Sequence, residues 1–284
     1  MSVAIALSVA GSDPSGGAGI QADLKTFAAF EVYGAAVVTC ATAQNTLGVR
    51  ATGELPPDLV AAQLDAVLDD LAVCAVKTGM LGRAVIVEVV AARMAGRRVP
   101  LVVDPVMVAT SGDVLLDAAG TEALRRLLLP SARLVTPNLA EAAVLTGRPV
   151  RDIAGMREAA RAIRDLGPAA VLVKGGHLTD SACDVLLDGD ELHELQAPRL
   201  ATPALHGSGC TLSAAITAGL ARGASLLDAV RTAKDFVHAA IARAPAVGRG
   251  ARPLDHTVRP HPARGDDSAT PVAPAPDRGY SRRS

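Results

Sequence analysis

Short β-branched runs alternate with longer Ala- and Leu-rich amphipathic stretches along most of this chain, and that alternation limits its fold more than any other feature. Strands are predicted at Val3–Val9, Ala35–Thr42, Val73–Thr78, Leu101–Asp104, Arg133–Thr136 and Ala169–Lys174. Helices are predicted near 18–31, 56–70, 83–97, 117–129, 138–146 and 155–166, then 209–222 and 225–243. Such alternation builds βαβ units, a mainly parallel sheet covered by helices on both faces. The strands are apolar almost without interruption, as burial on both sides requires. Residues 182–196 read instead as a hairpin turning at Asp188–Gly189–Asp190. One domain is expected over 1–245. Residues 246–284, rich in Pro, Arg and Asp and poor in large apolar groups, are expected to form a disordered tail.

With 284 residues, 50% hydrophobic, and a net charge of −1, the chain has no basic surface for nucleic acid. No apolar run approaches the roughly 18 residues of a membrane span. Its four cysteines, Cys40, Cys74, Cys183 and Cys210, are far apart and never in CxxC spacing, against a zinc site or a disulfide framework. A cytoplasmic protein is expected.

Ligands of open α/β sheets bind beyond the carboxyl ends of the strands. Here those ends carry Gly11–Gly19, Ala43–Gln44, Gly79–Met80, Asp104–Met107, Thr136–Glu141 and Lys174–His177. Gly17-Ala-Gly19-Ile-Gln-Ala22 formally satisfies the dinucleotide fingerprint, but the second strand ends in Gln44-Asn45 instead of the ribose-binding acid. P-loop and protein-kinase motifs are missing. Asp23 lies at the edge of the stripe formed by Ile20, Leu24, Phe27 and Glu31. It is either a first-turn acid or a carboxylate facing the pocket. His206-Gly-Ser-Gly-Cys210 precedes a small-residue helix, so its backbone N–H groups suit an anion, and the helix dipole would lower the Cys210 thiol pKa. The dull alternative is a buried cysteine behind a turn. Asn138 and Glu141 form either a capping box or a Mg²⁺–phosphate site. Lys174 is a phosphate contact or an exposed strand end; Asp104 is a Mg²⁺ ligand or a turn initiator.

AGSDPSGGAGIQADLKTF, Ala43-Gln44-Asn45-Thr, Lys77-Thr-Gly-Met80-Leu, Asp104-Pro-Val-Met, Thr136-Pro-Asn-Leu-Ala-Glu141, Val173-Lys-Gly-Gly-His and His206-Gly-Ser-Gly-Cys-Thr-Leu-Ser, in that order over about residues 5–240, resemble the bacterial hydroxymethylpyrimidine/phosphomethylpyrimidine kinases. The resemblance implies a ribokinase-like three-layer α/β/α sandwich, a mainly parallel central sheet and a homodimer. It implies two ATP- and Mg²⁺-dependent phosphorylations on the route to thiamine diphosphate, of 4-amino-5-hydroxymethyl-2-methylpyrimidine and of its monophosphate. Gly11, Asp23, Gln44, Met80 and Val106 would surround the pyrimidine, with Asp23 and Gln44 reading its amino and ring-nitrogen edge. Asn138 and Glu141 would serve Mg²⁺ and the ATP phosphates, with Asp104 close by. Lys174 would neutralise the transferring phosphate and Lys234 would lie near the nucleotide. Gly207, Gly209 and Cys210 would form the anion hole, with Cys210 as proton acceptor. The run Thr202-Pro-Ala-Leu-His206 departs from the family's polar Lys-Asn-Thr segment. The rival readings are a pyridoxal kinase of the same fold, a dinucleotide oxidoreductase, and a non-catalytic pyrimidine-binding protein.

Overall fold

The computed structural model describes residues 3–108, 115–176 and 182–260. Nine strands form one sheet in the order β3-β2-β1-β4-β5-β6-β7-β8-β9. β1 (Ile5–Ser12), β2 (Tyr33–Asn45), β4 (Ala75–Thr78), β5 (Leu101–Val103), β6 (Leu134–Val135) and β7 (Ala170–Val173) run parallel. β3 (Gly48–Glu54) closes one edge antiparallel to β2. The hairpin β8 (Ala182–Asp188) and β9 (Glu191–Ala197) closes the other edge, pairing Asp188 with Glu191 around Gly189.

Side chains alternate between two cores, as the period of two along a strand demands. Leu7, Val9, Val76, Leu101, Val103, Val171 and Val173 face α2 (Pro57–Asp70), α3 (Ala84–Met94), α4 (Ala118–Ala123), α5 (Leu139–Thr146) and α6 (Ile153–Arg164). Ala6, Ala75, Val102, Leu134 and Leu172 face α1 (Gly19–Ala29), α7 (Ser208–Ala221) and α8 (Leu226–Ala242). The result is the three-layer α/β/α sandwich. β1 lies between β2 and β4, so the chain leaves it in opposite directions across the sheet and opens a crevice at its carboxyl end.

Two expectations are corrected. β3 is absent from the predicted strands because an edge strand with most of its residues exposed shows no apolar alternation; Val49 is its one large apolar residue. The other correction is the tail boundary. After Pro245 the chain packs back onto the fold: β11 (Arg252–Pro253) pairs with β10 (Leu205–His206), and Leu254 and Val258 join the α1–α7–α8 core. His256 Nε2 meets Thr211 Oγ1 at 2.9 Å. Burial, with Lys25 nearby, lowers the pKa of His256 to about 4, keeping it neutral. Two isolated apolar residues among prolines and arginines are hidden from composition, which is why the segment read as disordered. The rest of the expected tail, 261–284, lies outside the described residues.

Leu254→Ala is therefore expected to cost about 2–5 kcal/mol in urea unfolding, as for other buried leucines. A chain ending at Gly250 should lose at least that much, whereas one ending at Pro260 keeps every contact named above. Equal midpoints for the two truncations would contradict the docking of 251–260.

Candidate active site

A cavity of about 350 Å³ lies over the carboxyl ends of the parallel strands. Gly11, Gln44, Met80 and Val106 line one end. Asp104, Asn138, Glu141, Lys174, Gly207, Gly209 and Cys210 line the middle. Lys234 lines the far end, beside the apolar side chains of Leu212, Val237 and Ile241. Twelve of the thirteen expected site residues thus share one pocket; Asp23 is outside it. His177, at the end of the β7 motif, lies outside the described residues.

The middle is a charged cluster. Lys174 leaves β7 and donates from Nζ to Asp104 Oδ1 at 2.8 Å, with Glu141 Oε2 4.0 Å away. Asp104 also accepts from Thr136 Oγ1 at 3.2 Å and Ser213 Oγ at 3.1 Å. Burial pushes the Asp104 carboxyl up, but Lys174 and Lys77 outweigh it and hold the group below the ordinary carboxylate range. Glu141 goes the other way: burial raises it to about 7, with Lys174 opposing and Asp104 adding. For Lys174, burial disfavours the charge, yet Asp104 and Glu141 hold its pKa above that of a free lysine. The Asn138–Glu141 capping box forms, Glu141 N donating to Asn138 Oδ1 and Asn138 N to Glu141 Oε2. The box fixes both side chains against the cavity, so capping and lining are compatible.

Helix α7 starts at Gly207 without a side-chain cap, which leaves its first-turn N–H groups free. Gly207 has φ 83, and a Cβ there would run into the Gly17 carbonyl. A Cβ on Gly209 would stand 3.1 Å from Lys174 Nζ. At 207 only glycine lets the turn lie against the loop of 13–19, while at 209 it spares Lys174 a small displacement.

Asp23 lies beneath the cavity floor. Both of its oxygens are 2.8 Å from Lys77 Nζ, Ser8 Oγ donates to Oδ2 at 2.6 Å, and neither Asp23 nor Lys77 has any solvent exposure. The expectation that Asp23 reads the ligand's amine is corrected: its acceptors are taken by a buried lysine, and its pKa is raised by burial against the pull of Lys77. The thiol expectation is corrected too. Burial raises Cys210 to about 11; Lys77 pulls it down, but Asp23 and Asp104 push it up further. Desolvation and the two carboxylates together outweigh Lys77 and the Gly19 N–H, which both favour a thiolate.

The glycine-rich loop is organised from within. Asp13 accepts from Ser15 N at 2.9 Å, Gly17 N at 3.2 Å and Ala18 N at 2.9 Å, so the N–H groups that a dinucleotide phosphate would need serve the chain's own carboxylate. His206 Nε2 stands 2.9 Å from Asp13 Oδ2 and 3.0 Å from Gln44 Nε2. At the far end Lys234 Nζ is held by Asp184 Oδ2 at 2.6 Å and by the Ala182 carbonyl at 2.9 Å. Asp13, Lys77, Asp184 and the His206 side chain had not been assigned roles from sequence. Lys77 carried a usable signal, since a lysine inside the buried strand Ala-Val-Lys-Thr demands a buried counter-charge. Asp13, ahead of Pro14 in the glycine-rich loop, carried no such signal.

A family profile described as phosphomethylpyrimidine kinase matches residues 13–255. Hydroxymethylpyrimidine/phosphomethylpyrimidine kinases of Rhizobium meliloti and Synechococcus elongatus are 55% and 52% identical, each over 90% of this chain and 98% of their own. A thiamine biosynthetic bifunctional enzyme of Arabidopsis thaliana is 49% identical over 88% of this chain and 49% of its own. Among solved structures, an ADP complex of Bacillus subtilis pyridoxal kinase has a TM-score of 0.84 at 40% identity, covering 90% of this chain and 98% of that one. The Staphylococcus aureus pyridoxal kinase with AMP-PCP and pyridoxal has 0.83 at 37%, covering 90% and 94%.

Removing Lys77 tests the buried pair. Lys77→Met strands a buried carboxylate and should cost about 3–5 kcal/mol in unfolding free energy. The loss should shrink as pH falls, because without its cation Asp23 escapes by protonating. A pH-independent loss under about 1 kcal/mol would contradict this arrangement.

Proposed function

This chain belongs to the phosphomethylpyrimidine kinase family, an ATP-dependent enzyme of thiamine biosynthesis acting on hydroxymethylpyrimidine and its monophosphate, and from that premise we propose how its residues do the chemistry. The observation that carries the reading is the convergence of Lys174, Asp104 and the uncapped start of α7 midway along one cavity. A heterocycle at the Gly11–Gln44–Met80–Val106 end would point its hydroxymethyl group at that centre. A nucleotide would enter from the Lys234 end, its base against Leu212, Val237 and Ile241.

Phosphoryl transfer asks for positioning and charge neutralisation more than for covalent chemistry. Lys174 neutralises the moving phosphoryl charge, and the N–H groups after Gly207 receive it. Asp104 holds Lys174 in place. Among the described residues no cluster of three or more His, Cys, Asp or Glu forms a metal cage. One or two carboxylates beside substrate phosphates are what Mg²⁺ uses, and Asp104 and Glu141, with Asn138, fit that role. Bound there, the ion would neutralise phosphate charge. Lys234 is already paired with Asp184, so it shapes the nucleotide end without a free charge. The reading includes a cytoplasmic homodimer.

Cys210 faces the acceptor hydroxyl in this reading. At neutral pH its thiol is protonated, so it holds the hydroxyl in place, and the small thiolate fraction takes its proton. A second reading, phosphorylation of pyridoxal, is favoured by the likeness to the two pyridoxal kinases.

A coupled assay of ADP release, run with hydroxymethylpyrimidine and with pyridoxal, should show turnover with the pyrimidine; turnover with pyridoxal alone would overturn the first reading. Cys210→Ala should lower kcat about 10²–10⁴-fold. The pyrimidine-dependent rate of the unaltered enzyme should climb with pH toward about 11 as thiolate forms, and the variant should lose that climb. Near-normal turnover in Cys210→Ala would end the proton-acceptor role.

A further inference from the structure

Gln44 is the amide at the Gly11–Met80–Val106 end of the cavity, and an amide reads a heterocycle only if its two ends are held in a known order. A carboxamide pairs with an adjacent amino group and ring nitrogen by accepting from the one and donating to the other. Turned by 180°, it offers the opposite pattern. Two neighbours decide between these orientations.

The first is His206. Asp13 takes hydrogen bonds from three backbone N–H groups and from Ser15 Oγ, and these, with His206, outweigh burial and keep it ionised, its pKa lowered to about 2. An ionised carboxylate only accepts, so His206 Nε2, 2.9 Å away, must carry its proton. The end of Gln44 that stands 3.0 Å from that N–H can share it with Asp13 only as the carbonyl oxygen, because an NH₂ there would set donor against donor. The second neighbour is Thr42. Its hydroxyl has one proton, which goes to the Ser12 carbonyl at 3.0 Å, so towards Gln44, 3.2 Å away, it can only accept. The end facing Thr42 is satisfied only as NH₂. Both neighbours require the same orientation, Oε1 against His206 and Nε2 against Thr42, which is the amide turned by 180° from the placement with Nε2 3.0 Å from His206 Nε2 and Oε1 3.2 Å from Thr42 Oγ1.

We propose that His206, held by Asp13, is a positioning residue that fixes the polarity of the Gln44 amide and thereby selects a 4-aminopyrimidine over its 4-oxo counterpart. The inference rests on the pyrimidine kinase reading. With its outer oxygen lone pair and outer N–H engaged, Gln44 presents one acceptor and one donor to the cavity. They match an exocyclic amine beside a bare ring nitrogen. The 4-oxo compound presents a carbonyl beside a ring N–H, the reverse.

The test compares kcat/KM for hydroxymethylpyrimidine and for its 4-oxo analogue in the full-length enzyme and two variants. Unaltered enzyme should prefer the 4-amino compound about 10- to 100-fold. In His206→Ala the amide is free to turn, and the preference should fall below about fivefold, through KM for the pyrimidine, with KM for ATP nearly unchanged. His206→Gln, which restores an N–H near the Nε2 position, should recover most of it. A purely structural role would slow both substrates alike and leave their ratio intact, which would overturn the proposal. Long-range ¹⁵N–¹H NMR of the unaltered protein needs no variant: a proton-bearing Nε2 on His206 is expected, and a bare Nε2 overturns the inference. Enzyme inert toward hydroxymethylpyrimidine would instead overturn the kinase reading, and this inference with it.

Discussion

The carboxylate of Asp104 ties four elements together. It sits just past β5, accepts from Thr136 after β6, from Lys174 after β7 and from Ser213 in α7, and is almost without exposure. A buried carboxylate is costly unless paired and hydrogen-bonded, and these three donors meet that condition. The same contacts fix where Lys174 points. They also bring the start of α7 against it, so close that a Cβ on Gly209 would stand 3.1 Å from Lys174 Nζ and push it aside. The charged centre and the sheet's architecture are therefore one set of interactions.

A second buried pair supports the first from below. Lys77 and Asp23 fill the space under the cavity floor, and Lys77 helps keep Asp104 ionised. Their charges also explain the state of Cys210. It feels a lysine and two carboxylates from a desolvated position, and its proton stays on. The floor is thus electrostatic in function though neither Asp23 nor Lys77 lines the cavity. Around the rim, Asp13 organises the glycine-rich loop, His206 links that loop to Gln44, and the segment 251–258 braces α7 through His256 and Thr211.

The fold was legible because two-sided burial leaves apolar runs that nothing else explains, as at Leu101–Val103 and Ala170–Val173. The site was legible as a set of strand ends, since Gly11 and Gln44 lie at the carboxyl ends of β1 and β2, and Met80, Asp104 and Lys174 follow β4, β5 and β7. What stayed hidden depends on partners distant in sequence. Asp23 sits in the right helix, and only Lys77, fifty-four residues on, reveals that its oxygens are taken. Cys210 stands at a helix start as expected, but its proton affinity is set by desolvation, which no local motif encodes. Leu254 and Val258 lack any periodic context, so their burial against α1, α7 and α8 could not be read from the segment alone.

The central claim is that Lys174 acts on the moving phosphoryl group and not on the heterocycle. Lys174→Met, which keeps most of the side chain's length, separates the two in one calorimetric and kinetic comparison. The account predicts that hydroxymethylpyrimidine binds this variant with an affinity within about threefold of normal, while kcat falls by at least about 10³, the scale on which a charge that stabilises phosphoryl transfer counts. A variant that turns over at near-normal rate but has lost its affinity for the pyrimidine would contradict it.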